Sequence, residues 1–188
     1  LAALPALCVL LGRHLGLSRR AANLGALVAA FHPGLAFAST TLYPTALTAV
    51  ALTSGVVLSS LAERKGRIST AIAGGLALGI AGCATSTFAP LPVLVSIYLL
   101  FKRKLRIALI VGIIGMLPTL AWVARNRMVM GGWILATNGG VNLYVGANDE
   151  ATPLTENWVP APFAAGRDAT GRDEVVQDHA YSARARVW

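Results

Sequence analysis

The sequence predicts an all-α integral membrane protein: about six transmembrane helices followed by a small extracytoplasmic tail of loop and helix. Three observations predict it. The chain is 55% hydrophobic and only 13% charged, where soluble domains carry about 25% charged residues. Apolar runs alternate with short basic clusters along residues 1–124. The composition then changes abruptly. Residues 1–124 hold ten Lys/Arg and one acid, Glu63, whereas residues 125–188 hold six Arg and seven acids. The first part is formally +9 and the second −1, so the net +8 belongs to the apolar part. Basic residues clustered between apolar runs, rather than spread over one polar face, argue against a nucleic-acid partner. Membrane lipid is the expected surrounding.

The elements follow in order. Residues 1–12 are a first apolar run, which reads as the rear of a membrane helix and not as a signal peptide, since no basic region or cleavage site accompanies it. The chain is therefore expected to be a piece of a longer protein. Arg13, His14, Arg19 and Arg20 follow. A second run, 21–39, is broken by His32-Pro33. Thr40-Thr41-Leu42-Tyr43-Pro44 makes a short neutral turn into a third run, 45–62. Glu63, Arg64, Lys65 and Arg67 separate it from a fourth, 68–85, rich in Gly and Ala. Residues 86–92 contain two prolines, and the fifth run, about 88–101, is the shortest. Lys102, Arg103, Lys104 and Arg106 precede the sixth run, 107–124. A spanning helix needs roughly 17–25 residues. Runs two, three, four and six meet or approach this, and the fifth fits a tilted or re-entrant segment.

The basic clusters orient the runs. They lie after runs one, three and five, while 40–44 and 86–92 carry no Lys or Arg. Positive loops stay cytoplasmic, so runs two, four and six lead outward. The chain is expected in the plasma (inner) membrane, multi-pass, with the tail from Arg125 onward extracytoplasmic.

Gly74, Gly75, Gly79 and Gly82 crowd the fourth run. Gly75 and Gly79 form a small-xxx-small spacing that lets membrane helices approach closely. Cys8 and Cys83 lie inside apolar runs and read as small core residues. In the tail, residues 149–174 read as loop from their Pro and Gly content, and 173–187 as a helix. Asn138-Gly139 is a hairpin signal, with 133–136 and 141–145 as its two short strands, giving a short hairpin near 133–145.

The chemistry-bearing residues gather at the membrane boundary. Arg125 and Arg127 lie on the side where basic residues are otherwise absent near the membrane. Arginine presents a planar fork that pairs bidentately with phosphate oxygens; its ordinary alternative is interfacial anchoring. Asn126, Asn138, Asn142 and Asn148 supply donors and acceptors suited to phosphate and sugar hydroxyls. Tyr43, Phe88, Trp122 and Trp133 read as an aromatic belt, and His32 as a hydrogen-bonded residue at a kink. No nucleotide-binding glycine loop, nucleophile elbow or zinc-binding helix motif is present. Residues 1–124 offer no outer-face carboxylate, so a general base would have to come from the tail or from other sequence.

These residues carry a resemblance. The chain holds a Pro in a membrane helix near the outer face, a Gly-rich helix, a basic loop and a last apolar helix. Trp122-Val123-Ala124-Arg125-Asn126 and Thr137-Asn138-Gly139-Gly140-Val141-Asn142-Leu143 follow. This order resembles the multi-pass glycosyltransferases of the GT-C superfold, especially bacterial relatives of the dolichyl-phosphate-mannose protein mannosyltransferases and the aminoarabinose transferase of lipid A. Trp122, Arg125, Asn126, Thr137, Asn138, Gly139, Gly140, Asn142, Leu143 and Gly146 meet the pattern over roughly residues 1–150. Asn148 meets it with Ala147 as one extra residue. Ala121 stands where such proteins have Pro before the Trp, with Pro118 nearby. Thr40-Thr41-Leu42-Tyr43-Pro44 lacks the acid often found in that loop, and Thr87-Phe88-Ala89-Pro90 lacks the Arg before Pro.

The resemblance implies transfer of a sugar from a lipid-linked polyprenyl-phosphate donor to an extracytoplasmic acceptor (lipid, glycan or protein). It implies inversion, with the catalytic carboxylate in a loop ahead of residue 1. No catalytic residue is then assigned within the chain and no cofactor is called for, and a metal requirement is left open. Arg125, Asn126, Arg127, Asn138 and Asn142 are the substrate- and phosphate-binding candidates. Two other readings stand beside it. One is a non-enzymatic polytopic membrane protein, a transporter or envelope-assembly subunit, suggested by the breaks at Pro33 and Pro90/Pro92. The other is a degenerate transferase, suggested by the missing outer-face charges.

Overall fold

The computed structural model describes residues 3–40, 44–146 and 172–186. Among them every regular element is helical: α1 (Ala3–His14), α2 (Arg19–Ala30), α3 (Pro33–Thr40), α4 (Thr45–Lys65), α5 (Ile68–Ala84), a 3₁₀ turn (Ser86–Phe88), α6 (Leu91–Phe101), α7 (Leu105–Met130), α8 (Gly139–Gly146) and α9 (Arg172–Ala185). The chain divides into two compact units, Leu1–Ala121 and Trp122–Trp188.

In the first unit the expected runs become helices, but not all of spanning length. Two helices, α4 with 21 residues and α7 with 26, are long and apolar enough to cross a membrane. The second expected run is divided. Phe31 leaves the helix, the His32 ring nitrogen Nδ1 accepts from the Leu35 amide at 3.2 Å, and Pro33 opens α3. Proline lacks the N–H that a continuous helix would use and suits a first turn, so the run folds as two short helices. His32 thus has the hydrogen-bonded role at a break that its position suggested. The proline-rich stretch before the fifth run makes the 3₁₀ turn and leaves α6 only 11 residues.

The packing of this unit rests on missing side chains. α4 and α5 form a hairpin closed by Gly66 in the left-handed region at φ 64°. Leu78, fully buried on α5, fits against Gly55 of α4, where a Cβ would lie 2.6 Å from the Leu78 Cγ. A Cβ on Gly74 would lie 2.8 Å from the Ser59 Oγ. The other side of α5 meets α7: a Cβ on Gly75 would stand 2.9 Å from the Val111 carbonyl, and one on Gly79 2.4 Å from the Gly115 carbonyl. The Gly75/Gly79 spacing is therefore a backbone-to-backbone seam. Pro118, inside α7, packs against the same Gly79 position. Leu99, Ile107, Ala108 and Val111 complete a core with Ala62, Ala71 and Leu78, and the Ser96 hydroxyl donates to the Ala108 carbonyl at 2.8 Å to tie α6 to α7.

Large apolar side chains face outward. Leu109, Ile113, Leu117 and Leu120 are all exposed along α7, at spacings of four, four and three that place them on one face. Soluble monomers rarely expose a contiguous apolar stripe of this kind.

In the second unit one expectation is overturned. The hairpin near 133–145 does not form: Gly139–Gly146 is the helix α8, and no strand is present among the described residues. The reason is tertiary. The Gly140 amide donates to the Asp178 carboxylate, and the Asn142 amide to the Asn138 carbonyl at 3.1 Å, which starts a helical turn. A carboxylate at a helix N-terminus is favourable, so α9 supplies what a local hairpin reading could not see. α9 itself matches the helix expected over 173–187. The expectations for Tyr43, Asn148 and most of the 149–174 loop lie outside the described residues.

Candidate functional site

The candidate residues sit in the second unit, at the end of α7 and the turn that follows. Trp122, Arg125 and Asn126 lie within five residues on α7, so Trp122 and Arg125, three apart, share a face. The Arg125 guanidinium lies over the Trp122 ring, 5.1 Å from its centre. It also donates to the Asn126 Oδ1 at 3.1 Å. A guanidinium stacked on an aromatic face keeps its edge N–H groups for other partners, and Arg125 is solvent-exposed.

Asn126 is only 2% exposed, and both ends of its amide are engaged. Its oxygen accepts from Arg125, and its nitrogen donates to the Ile134 carbonyl at 3.0 Å. The Trp122 indole N–H donates to the Leu135 carbonyl at 3.2 Å. The segment after α7 is thus pinned back onto the helix by two side chains from the same stretch. Asn126 acts here as the brace that orients Arg125.

Arg127 is held differently. It donates to the Gly131 carbonyl and lies 6.0 Å from the centre of the Trp133 ring. Gly131 has φ +80°, a left-handed conformation that suits glycine after a helix C-terminus. A cation on the last turn also complements the helix dipole. Arg127 therefore caps α7, and its guanidinium points to the loop it closes.

Asn138 and Asn142 are exposed at the start of α8. Among the described residues no hydrogen bond joins either side chain to Arg125 or Arg127. The structure brings together Arg125 and Asn126, places Arg127 at the adjacent cap, and leaves Asn138 just before α8 and Asn142 on it. Between α8 and α9 the contacts are carboxylate-mediated: Thr137 Oγ1 donates to Glu174 at 3.1 Å, and Gly140 meets Asp178. Tyr144 and Tyr181 stack beside them with ring centres 5.5 Å apart. Glu174 and Asp178 were not among the sequence candidates. Their signal is weak, because acids spaced four apart on a polar helix usually form only a solvated face.

No group of three or more His, Cys, Asp or Glu that could hold a metal ion occurs among the described residues. The arrangement can instead present one braced, exposed guanidinium, and near it a second cation at a helix end, to an anion. No protein-family model, curated protein or solved structure matches this chain.

Proposed function

We propose that the chain is part of an integral-membrane glycosyltransferase, and that Arg125 binds the phosphate of a polyprenyl-phosphate sugar donor on the extracytoplasmic side. The observation that carries this reading is the Arg125 guanidinium, held over Trp122 and hydrogen-bonded to Asn126, yet exposed at the end of an apolar helix of 26 residues. A lipid-linked phosphate lies at the membrane surface, where such a helix ends. In this reading α4 and α7 cross the membrane, and the shorter apolar helices α1, α5 and α6, with α2 and α3 as one broken pass, bring the number to six. The alternation of basic clusters and neutral turns supports the orientation.

In the reaction, an acceptor hydroxyl oxygen attacks the anomeric carbon of the sugar. The bond from that carbon to the carrier phosphate oxygen breaks, and the phosphate leaves with the electron pair. The hydroxyl proton passes to a carboxylate base, which the resemblance places in a loop ahead of residue 1. Arg125 contributes by stabilising the charge that develops on the leaving phosphate. Asn126 positions Arg125, Arg127 adds positive potential from the helix end, and Asn138 just before α8 and Asn142 on it contribute polar groups toward the sugar or the acceptor.

The test uses the complete protein in lipid nanodiscs and measures binding of a polyprenyl phosphate. A charge-assisted contact to phosphate contributes about 1.5–3 kcal/mol, so Arg125→Ala is expected to weaken binding roughly 10- to 100-fold. Arg125→Lys should fall between, because it keeps the charge and loses the fork. Unchanged binding by Arg125→Ala overturns the assignment. Binding of the carrier phosphate without any sugar transfer would favour the transporter or degenerate reading.

A further inference from the structure

A second feature lies in the first unit. α4 and α6 leave between them an open groove of about 230 Å³. Val56, Leu94 and Val95 make one part of it apolar, and Ser60, Glu63 and Tyr98 make the other part polar. On α4, positions 56, 60 and 63 fall on one face by helical spacing. The polar part lies in the last turns of both helices, beside the basic residues that follow each.

Glu63 is the one acid in residues 1–124. A carboxylate near a helix C-terminus stands against the helix dipole. Its neighbour Arg64 does not pair with it but donates to the His14 carbonyl at 2.7 Å. Among the described residues no ion pair or hydrogen bond engages Glu63. Beside the groove, the Lys102 Nζ lies 5.5 Å from the ring centre of Tyr98, one of the lining residues. The groove therefore offers an apolar channel and one carboxylate, with one ammonium held beside it over Tyr98.

We infer that this groove binds a phospholipid that carries a primary ammonium, of the phosphatidylethanolamine class. The lipid ammonium pairs with Glu63, the lipid phosphate with Lys102, and one acyl chain lies along Val56, Leu94 and Val95. The charge pattern selects this headgroup. A purely anionic headgroup would leave the Glu63 carboxylate facing negative charge, and a quaternary ammonium has no N–H to donate to it. The volume is below the roughly 300–1,000 Å³ of pockets that enclose a drug-sized ligand. It suits a headgroup and part of one chain while the rest of the lipid stays in the bilayer. The inference rests on the reading of the chain as a membrane protein.

The complete protein, purified in detergent, is titrated with phosphatidylethanolamine, phosphatidylcholine and phosphatidylglycerol of identical chains, and retained lipid is counted by native mass spectrometry. Phosphatidylethanolamine is expected to bind at least about tenfold more tightly than the other two. Glu63→Gln should abolish that preference, and Val56→Trp, which fills the groove and leaves the carboxylate, should weaken all three lipids. Equal retention of the three lipids by the unmodified protein overturns the inference whatever the variants do. Alkaline extraction of cell membranes separates the two levels of failure. Release of the protein into the soluble fraction overturns the membrane reading and this site together, whereas a membrane-retained protein without headgroup preference overturns this site alone.

Discussion

The Asn126 amide nitrogen donates to the Ile134 carbonyl at 3.0 Å, and this bond sets where the chain turns back after α7. Asn126 is buried and its oxygen is taken by Arg125, so one side chain both closes a turn and aims a guanidinium. Replacing it with alanine leaves the partly buried Ile134 carbonyl without its donor, at about 1–3 kcal/mol or less. Asn126→Ala is expected to lower the thermal unfolding midpoint and to speed amide hydrogen exchange over residues 131–136. Unaltered exchange there would mean that the turn is held by something else.

The contact between Gly140 and Asp178 makes a sharper demand. A Cβ at position 140 would fall 1.9 Å from the Asp178 carbonyl oxygen, so Gly140→Ala must push α9 away from α8. Overpacking of this kind costs about 1–3 kcal/mol. Asp178→Asn is milder, because the amide oxygen still accepts but the charge at the helix N-terminus is lost, which is worth about 0.3–1 kcal/mol. Ranking the two variants by thermal melting should put Gly140→Ala well below Asp178→Asn, and the reverse order would refute the account of why α8 is helical.

Two glycines in the first unit should respond oppositely to the same change. Gly79 faces the Gly115 carbonyl at 2.4 Å from a built Cβ, whereas nothing lies within 4 Å of a Cβ on Gly25. Gly79→Ala should therefore destabilise by about 1–3 kcal/mol through forced separation of α5 and α7. Gly25→Ala, in the middle of α2, should stabilise by about 0.5–1 kcal/mol through helix propensity. Guanidinium or thermal unfolding of the pair decides the point within one experiment.

Thr119 invites a substitution that improves the protein. Its hydroxyl is buried and makes no hydrogen bond among the described residues, and an unmade buried hydrogen bond costs about 1–3 kcal/mol. Thr119→Val keeps the shape and removes the unpaired group, so it should leave the melting temperature unchanged or raise it. A drop of several degrees would show that the hydroxyl has a partner when the protein is in lipid.

Several parts of this structure could be read from residues in order. The glycines of the fourth run predicted close packing because they crowd together and Gly75 and Gly79 stand four apart, a local signal. His32-Pro33 predicted a break because proline lacks the N–H that a continuing helix would use there. The helix over Arg172–Ala185 followed from a stretch without Gly or Pro. The hairpin at Asn138-Gly139 failed for the opposite reason. The pair has strong turn preference, but its fate is decided by Asp178, a carboxylate 38 residues beyond the adjacent Gly140. The site shows the same division. Arg125 could be singled out as an exception to the charge pattern, whereas the engagement of Asn126 with a carbonyl eight residues on depends on how the turn folds back.

The seam between α5 and α7 has a further consequence. Where Gly75 and Gly79 meet the α7 backbone, no rotamers are frozen, so association there carries almost none of the side-chain entropy that larger residues surrender. The side chains beside the seam glycines, the ring of Pro118 at Gly79 and that of Pro92 at Gly115, are too rigid to shift and absorb an added atom. Such a contact is inexpensive to form and unforgiving to change, and its geometry is coded by what the residues lack. Substitution tolerance along α5 should therefore track volume rather than polarity: serine would be admitted at seam positions more readily than valine.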